Sequence, residues 1–337
     1  MRLVLHRFDL PLAHPFTISR GTITVQPTMI VELTQNGVRG YGEATTNDFY
    51  GITWESMAEA LESVRGELER RQMDDPAAIW ADLDRVLHAN RFAQCALDLA
   101  AHDLWGKLRG KPVYELWGLN LSHVPASNYT IGIDTVETMV AKLRERADWP
   151  IYKIKLGTPH DVEIVQELRR QTTAPFRVDA NCAWGVAETI ENARRLQPLG
   201  VEFIEQPLPA YTWDESAEVF RGSVLPIIAD ESCQTEPDVA ACHERFHGVN
   251  VKLVKCGGLT PARRMIDEAR RLGMKTMVGC MTESTVGISA IAQLLPLLDY
   301  VDMDGAALLA SDIADGVRVE RGVAHFPDTP GCGVTLR

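Results

Sequence analysis

The stretch IYKIKLG, residues 151–157, places two lysines inside an apolar run that is typical of a buried strand. Residues two positions apart on a strand point to the same face, so Lys153 and Lys155 project into one space. Two ammonium groups placed so closely disfavour each other's charge. The pair therefore indicates that oppositely charged groups of the chain lie at the end of this strand.

Apolar strands of the same kind recur along the chain at a nearly constant interval. Successive strand ends carry the following residues, 24 to 26 positions apart: Lys155, Asp179, Glu205, Asp230, Lys255, Cys280 and Asp304. An interval of this length holds one strand, one helix and two loops, and such strands are parallel and buried on both faces. Eight of them predict a barrel of β/α units. A doubly wound sheet is the alternative, but no G-x-G-x-x-G motif follows the first strand.

The first third of the chain has a different character and predicts a separate α+β domain. Residues 1–45 are rich in β-forming residues, and Asn36-Gly37 is typical of a tight hairpin turn. Three helical stretches follow, and the last of these, 91–109, has an apolar stripe that would face a core. We expect an α+β domain over 1–120, a barrel over 121–312 and a C-terminal segment, 313–337, that returns to the first domain.

Composition excludes several classes of protein. With 45% apolar and 24% charged residues, the chain is typical of a globular protein. A net charge of −12 disfavours nucleic acid as a partner, and no apolar run is long enough to span a membrane. The charged start predicts a strand and not a signal peptide, and seven cysteines without a CxxC pair indicate reduced thiols. We therefore expect a cytoplasmic protein with no membrane partner.

Three acidic residues end consecutive barrel strands, namely Asp179, Glu205 and Asp230. The carboxyl ends of barrel strands face a common mouth, so these carboxylates are expected to converge on one point. Unpaired carboxylates would repel each other there, and oxygen ligands without His or Cys favour Mg²⁺. The alternative is that each acid caps the following helix or pairs with a lysine. Four cysteines near strand ends lack a histidine partner, which argues against a zinc site or a thiol nucleophile.

Lysines flank these acids on both sides. Lys155 on the second barrel strand and Lys255 on the sixth are expected to face each other across the mouth. A lysine beside a dication and another ammonium has a lowered pKa and can act as a base near neutral pH. With a substrate carboxylate on Mg²⁺, one lysine would remove the α-proton and the other would return it from the opposite face. The chemistry is 1,1-proton transfer through a metal-stabilised enediolate, with Lys153 on the substrate carboxylate. Lysine stems at a barrel rim are the alternative interpretation.

Five motifs in this order and spacing, KIKLG, RVDAN, IEQP, ADES and KLVKCGG, resemble the muconate-lactonizing subgroup of the enolase superfamily. The resemblance extends over nearly the whole chain, from PFTISRGT near the start to PGCGV near the end. Enzymes of that superfamily use a Lys or His base together with Mg²⁺. The resemblance implies an α+β capping domain over a (β/α)₇β, TIM-like barrel. It also implies one Mg²⁺ per subunit on the three acids, with Lys155 and Lys255 as catalytic residues.

The last barrel strand ends in DMDG, residues 302–305, which bears on the substrate. Asp302 and Asp304 should point into the same mouth, and two carboxylates beyond the metal ligands suit a cationic group such as a free ammonium. The pair resembles the Asp-x-Asp of dipeptide epimerases, which holds the N-terminal amine of the substrate. N-Succinylamino acid racemases have anionic substrates and no need of such a pair. The alternative is that either Asp pairs with a local arginine or caps a loop.

Further residues are expected to line the pocket. In the similar Ala-Glu epimerases, an arginine in the loop between the first two strands meets the glutamate carboxylate of the substrate, and a guanidinium suits that role. Arg20 lies in this loop, and NDFYG, residues 47–51, would form a second loop over the mouth. The stretch CMTES, residues 280–284, cannot be assigned to one particular substrate specificity. The candidate pocket residues are Arg20, Tyr50, Thr130, Met281 and Glu283.

We predict a Mg²⁺-dependent dipeptide epimerase that acts on the C-terminal residue of an L-Ala-Xaa dipeptide and assembles as a homo-oligomer. An N-acylamino acid racemase or a cycloisomerase is the alternative that uses the same lysines. A non-catalytic barrel that binds a metal is a further alternative, against which the intact set of acids and lysines argues.

Overall fold

The computed structural model describes residues 1–337, and the chain begins with a three-stranded antiparallel sheet followed by helices. The strands are β1 (Arg2–Ile18), β2 (Gly21–Gln35) and β3 (Val38–Thr45), and the helices are α1 (Trp54–Glu69), α2 (Pro76–Leu87), α3 (Arg91–Arg109) and α4 (Val113–Leu116). Asn36 and Gly37 form the β2–β3 turn with positive φ, as predicted. The side chains of Thr53, Asp75 and Asn90 cap α1, α2 and α3, which explains where these helices start.

Eight parallel strands follow and form one sheet in sequence order. They are β4 (Tyr129–Ile131), β5 (Tyr152–Lys155), β6 (Phe176–Asp179), β7 (Val201–Glu205), β8 (Ile227–Ala229), β9 (Gly248–Val251), β10 (Lys275–Gly279) and β11 (Tyr300–Asp302). The helices among them are α5 (Val136–Glu145), α6 (Asp161–Arg169), α7 (Val186–Leu196), α8 (Trp213–Gly222), α9 (Glu236–Cys242), α10 (Leu253–Cys256), α11 (Leu259–Arg271) and α12 (Thr285–Ala292). Short strands complete the chain, β12 (Ala314–Asp315), β13 (Arg318–Glu320), β14 (Val323–His325) and β15 (Thr335–Leu336).

The two edge strands of the large sheet meet, and this closes the barrel. Ser127, just before β4, forms a parallel bridge with Val301 of β11, and its hydroxyl oxygen accepts the N–H of Met303 at 3.0 Å. Arg177 of β6 donates to the Val301 carbonyl at 2.9 Å and to the Asn128 side chain at 3.1 Å. No barrel helix follows β11. The predicted (β/α)₇β barrel with an N-terminal α+β domain is therefore confirmed, and the doubly wound alternative is wrong.

Helix α3 is the central helix of the first domain, and β3 lies directly against it. Glycines at positions 40 and 42 of β3 make this approach possible, because a methyl group on Gly42 would overlap the carbonyl oxygen of Ala96 and the amide of Ala100. The helix predicted over 91–109 has the observed bounds, and its apolar stripe is buried, as at Leu104. Close packing of backbone on backbone thus joins the helix and the sheet.

Two buried carboxylates connect α3 to other parts of the chain. Asp98 accepts the N–H and the hydroxyl of Thr260 on α11, at 2.9 and 2.8 Å. Asp103 accepts the N–H of Tyr41 on β3 at 2.9 Å and the N–H of Cys332 at 2.8 Å. The C-terminal segment therefore contacts the first domain. We propose the division of the chain at residues 120 and 312, because these positions separate the antiparallel sheet and its helices from the eight parallel strands and from the short strands that follow.

All seven cysteines are free thiols, and five of them are buried. Burial raises the pKa of Cys95 and of Cys332 well above the usual value, so these thiols stay protonated and have little nucleophilic character. Their environment agrees with a packing role. Among the helices, none has the length and apolarity needed to cross a membrane.

Replacement of Gly42 by alanine should destabilise the protein by about 2 kcal/mol, because the added methyl group overlaps backbone atoms of α3. Gly66→Ala is the matched control, since Gly66 is exposed within α1 and only the Arg70 side chain lies near it, at 3.8 Å. The control should stabilise by about 0.5 kcal/mol or more through helix propensity. Urea unfolding measures both. A Gly42→Ala variant as stable as the parent would contradict the close contact between β3 and α3.

Candidate active site

A cavity of about 480 Å³ lies at the carboxyl ends of the barrel strands, next to the loop between β1 and β2. Its walls come from both parts of the chain, with Arg20 and Tyr50 from the first domain and Lys155, Asp230 and Asp302 from the barrel. In barrels of this kind the carboxyl ends of the strands carry the active site. The cavity is therefore the candidate active site.

Asp179, Glu205 and Asp230 form a buried cluster at this end of the barrel, with their ligand oxygens within 4.8 Å of one another. The strand register brings them together, because Asp179 pairs with Glu205 across β6 and β7, and Asp230 directly follows β8. Glu205 Oε2 lies 2.7 Å from Lys153 Nζ, but without hydrogen-bond geometry, and it has no other partner. Three buried carboxylates, one of which has an oxygen without a hydrogen bond, fit a hard cation such as Mg²⁺.

Lysines around the cluster set the pKa values of its carboxylates. Burial raises the pKa of Asp179, but Lys155 and Lys153 lower it further, so it lies below the usual value. Burial also raises the pKa of Asp230, but Lys252 and Lys255 lower it further, so it lies well below the usual value. Burial dominates at Glu205 and raises its pKa to about 7. Two acids of the cluster are thus ionised at neutral pH, and the third titrates there.

Lys153 and Lys155 project to the same side of β5, as their spacing predicts. Lys155 Nζ lies 2.6 Å from Asp179 Oδ2, and this side chain lines the cavity. Lys153 lies deeper, with its Nζ 2.7 Å from Glu205 and 2.8 Å from Asp302. Burial lowers the pKa of Lys153, but these acids raise it well above the usual value. Lys153 does not line the cavity, so it lacks the position that the predicted contact with a substrate requires. Its charge instead balances the buried carboxylates around it.

The structure does not place Lys255 where the sequence predicts it. Lys255 lies in the one-turn helix α10, is fully buried, and donates to Asp230 Oδ1 at 2.6 Å and to the Cys233 carbonyl at 2.9 Å. Lys252, directly after β9, lines the cavity instead, with its Nζ 3.0 Å from Asp230 Oδ2. Strands β5 and β9 are four places apart in an eight-stranded barrel, so Lys252 faces Lys155 across the mouth.

The physical reason for this correction is the local backbone after β9. Both lysines of KLVKCGG follow the strand, and an interval of 25 residues from Asp230 favours Lys255. The helical turn of α10 starts at once, however, and directs Lys255 away from the mouth. The predicted lowering of the lysine pKa is also not found at Lys252. Burial lowers the pKa of Lys252, but Asp230 raises it above the usual value.

Asp302 and Asp304 both line the cavity, together with Thr130 of β4. Asp302 accepts hydrogen bonds from Lys153 at 2.8 Å and from the Asn128 amide at 2.7 Å. Asp304 accepts the N–H of Thr130 at 2.5 Å and its hydroxyl at 3.2 Å. Burial, together with the Asp302 charge, raises the pKa of Asp304 to about 8. The structure thus brings the predicted pair together on the wall formed by β4 and β11.

Two residues of the first domain reach the cavity. Arg20 Nη1 lies 2.7 Å from Glu231 Oε1, and the guanidinium lies 4.2 Å from the centre of the Phe49 ring. Tyr50 packs against Phe92 with ring centres 5.6 Å apart, and burial raises the pKa of Tyr50 to about 12. Sequence reasoning assigned no role to Glu231, although the ADES motif places it directly after an acid of the cluster.

Met281 lines the cavity, whereas Glu283 does not. The Glu283 carboxylate accepts the N–H of Met281 at 2.7 Å, and burial together with the nearby Glu43 raises its pKa to about 8. Glu43 of β3 accepts the N–H groups of Ser284 and Gly287 at the start of α12, at 3.1 and 2.9 Å. Glu283 thus supports the loop that carries Met281, and the structure gives it no position from which to touch a substrate.

Comparisons with known proteins match both parts of the chain. Residues 135–337 match the enolase C-terminal domain-like family, and residues 2–118 match the N-terminal domain of the mandelate racemase and muconate lactonizing enzymes. The L-Ala-D/L-amino acid epimerase of Flavobacterium johnsoniae is 57% identical over the whole of both chains. A substrate-liganded L-Ala-D/L-Glu epimerase of Bacillus subtilis has a TM-score of 0.94 at 27% identity and covers 99% of this chain and 98% of its own. A dipeptide epimerase of Methylococcus capsulatus, complexed with Mg and L-Arg-D-Lys, has a TM-score of 0.91 at 33% identity over 99% of both chains.

A (β/α)₇β barrel under an α+β domain, with three clustered carboxylates between opposed lysines, defines the enolase-type class of enzymes. Within that class, the chain belongs to the mandelate racemase/muconate lactonizing enzyme family. The resemblance carried by the five sequence motifs is therefore confirmed.

Lys255→Met should destabilise the protein by about 3 kcal/mol, because it removes the buried donor of Asp230 and of the Cys233 carbonyl. In the matched control, Lys252→Met, Asp230 keeps its bond to Lys255 and no buried carbonyl loses its donor, so the loss should be about 1 kcal/mol. Urea unfolding with EDTA present measures the difference without a contribution from metal binding. Equal losses in the two variants would contradict the separate positions of the two lysines.

Proposed function

We propose that the protein is an isomerase, a Mg²⁺-dependent dipeptide epimerase that acts on the C-terminal residue of L-Ala-Xaa dipeptides. The observation that carries the proposal is the placement of Lys155 and Lys252 on opposite sides of the cavity, with the acid cluster between them and Asp302 and Asp304 on an adjoining wall. The relative of 57% identity named L-Ala-D/L-amino acid epimerase supports this substrate class. The similar epimerase that is complexed with Mg and a dipeptide supports the cofactor.

Both charged ends of a dipeptide have complementary groups at the cavity, whose wall includes Asp230 of the acid cluster as well as Asp302 and Asp304. Asp302 and Asp304 suit the N-terminal ammonium, because they offer two carboxylates on one wall. The C-terminal carboxylate would lie against the cation held by Asp179, Glu205 and Asp230. A zwitterion fixed at both ends presents the α-carbon of its second residue between the two lysines, which removes most of the orientational barrier to proton transfer.

The two opposed lysines move the α-proton. In one direction a neutral Lys155 takes the proton from one face, and a protonated Lys252 donates a proton to the other face, so the configuration inverts. The roles exchange for the opposite stereoisomer. Bound Mg²⁺ would stabilise the negative charge that develops on the substrate carboxylate when the proton leaves. Asp230 would help to hold the cation, and its charge would then raise the pKa of Lys252 less strongly.

The partner that this site fits is a small dipeptide. We place the protein in the cytoplasm, and the seven free thiols support this location. Assembly as a homo-oligomer stays a prediction.

Exchange of the α-hydrogen in D₂O tests the proposed function. The purified protein with Mg²⁺ should exchange the α-hydrogen of the C-terminal residue in dipeptides that begin with L-Ala, as followed by ¹H NMR. EDTA should abolish the exchange, and added Mg²⁺ should restore it. Absence of exchange across a full dipeptide library in the presence of Mg²⁺ would overturn the proposal in favour of a non-catalytic barrel.

Lys155→Ala and Lys252→Ala should each abolish epimerisation, with a loss in kcat of about 1,000-fold or more, because each removes a required proton carrier. Each variant should keep α-hydrogen exchange with one stereoisomer, and the two variants should keep opposite ones. Incubation of separate L,L and L,D dipeptides in D₂O gives the readout. Retention of the same stereoisomer by both variants would contradict the assignment of the lysines to opposite faces.

An N-acylamino acid racemase is the second candidate, since an N-succinyl Arg/Lys racemase of Bacillus cereus has a TM-score of 0.90 at 27% identity. The relatives of higher identity and the carboxylates at Asp302 and Asp304 favour the dipeptide. Asp304→Asn should lower kcat/KM for dipeptides about 100-fold, because the ammonium of a bound dipeptide would favour the ionised form of Asp304 and pair with it. N-Acetylated dipeptides should be poor substrates for the parent protein and should lose little more in the variant. Equal activity of the variant on dipeptides would favour the racemase.

A further inference from the structure

Arg20 and Glu231 form an ion pair between the first domain and the barrel, and both line the cavity. Their side chains lie 2.7 Å apart and are 30% and 1% exposed, respectively. The ring of Phe49 covers the guanidinium at 4.2 Å, and Glu231 Oε2 is buried without a hydrogen-bond partner. The guanidinium is therefore neutralised by a carboxylate of the protein itself.

This ion pair lies where the side chain of the second residue of a bound dipeptide would point. That statement rests on the proposed function, which places the α-carbon between the two lysines. The amide branch of that carbon leads to Asp302 and Asp304 on the β4–β11 wall, and its carboxylate leads to the acid cluster. The remaining substituent then points to the β1–β2 loop and to the β8 side, where Arg20 and Glu231 meet. Ile23 of β2 adds an apolar wall to the cavity.

We propose that Glu231 determines side-chain specificity by neutralising Arg20, which leaves a pocket that accepts uncharged as well as acidic side chains. An unpaired guanidinium at this place would bind a substrate carboxylate by a charge-assisted, bidentate contact and would select for it. Glu231 competes with such a carboxylate for the same N–H donors, so it lowers the preference for acidic substrates. Glu231 acts through Arg20 and takes no part in proton transfer.

The ratio of kcat/KM for L-Ala-L-Glu to kcat/KM for L-Ala-L-Gln tests this role, because the two substrates differ only in the charge of one side chain. Glu231→Gln keeps the shape of the side chain and removes its charge, so the ratio should rise at least about tenfold. Arg20→Met leaves the charge of Glu231 unpaired, so this carboxylate repels an acidic substrate side chain. The Glu-to-Gln ratio should therefore fall by a similar factor. The double variant removes both charges and should return the ratio to within about threefold of the parent.

A merely structural role of Glu231 predicts a different result, namely an equal loss of kcat/KM on both substrates in Glu231→Gln. That result would overturn the proposal. A selective loss of activity on L-Ala-L-Lys, with an unchanged Glu-to-Gln ratio, would also overturn it, because Glu231 would then contact a cationic side chain directly. The activity of the parent protein distinguishes a failure of this inference from a failure of the proposed function on which it rests. No exchange of either substrate by the parent overturns the epimerase itself, whereas normal exchange with unchanged ratios in all three variants overturns the role of Glu231 alone.

Discussion

Three carboxylates buried within 4.8 Å of one another are the constraint on which the rest of this site depends. Charges of one sign cannot be buried so closely unless opposite charges are buried with them. The barrel supplies four lysines from β5 and from the residues that follow β9: Lys153, Lys155, Lys252 and Lys255. The two deeper lysines, Lys153 and Lys255, are held by fixed partners and act as permanent counter-charges. The two that also line the cavity contact both the cluster and the space for a substrate, so they alone can balance charge and exchange protons.

Much of this arrangement could be predicted from the sequence, because it follows from periodicity. Parallel strands at an interval of about 25 residues place their carboxyl ends side by side, so acids at three successive ends must cluster. The same reasoning covers Asp302 and Asp304, which are two residues apart and point into the same mouth. Helix α3 could be bounded from its apolar spacing, and its start agrees with the Asn90 cap.

The remaining details depend on tertiary contacts that periodicity does not contain. The choice between Lys252 and Lys255 depends on a single helical turn after β9, which rotates one lysine away from the mouth. Glu283 lies within two residues of Met281, yet it turns to the backbone of its own loop. Arg20 and Glu231 are 211 residues apart in sequence, and only the folded chain shows that one neutralises the other. Local reasoning places these residues near the carboxyl ends of the strands, whereas the partner of each charge is a property of the fold.

The hydrogen bonds between the first domain and the barrel bear on how a substrate would gain access to the cavity. Asp98 joins α3 to Thr260, and Glu43 joins β3 to the start of α12, and both carboxylates are buried. A hinge motion of the whole first domain would expose these charges and would displace the loop that carries Met281. The tip of the β1–β2 hairpin is attached through fewer contacts that are not fully buried, namely those of Thr17 with Ile133, Ser19 with Asn181 and Arg20 with Glu231. We therefore expect access to the cavity to require movement of this short hairpin tip and not of the whole first domain, on the timescale of loop motion.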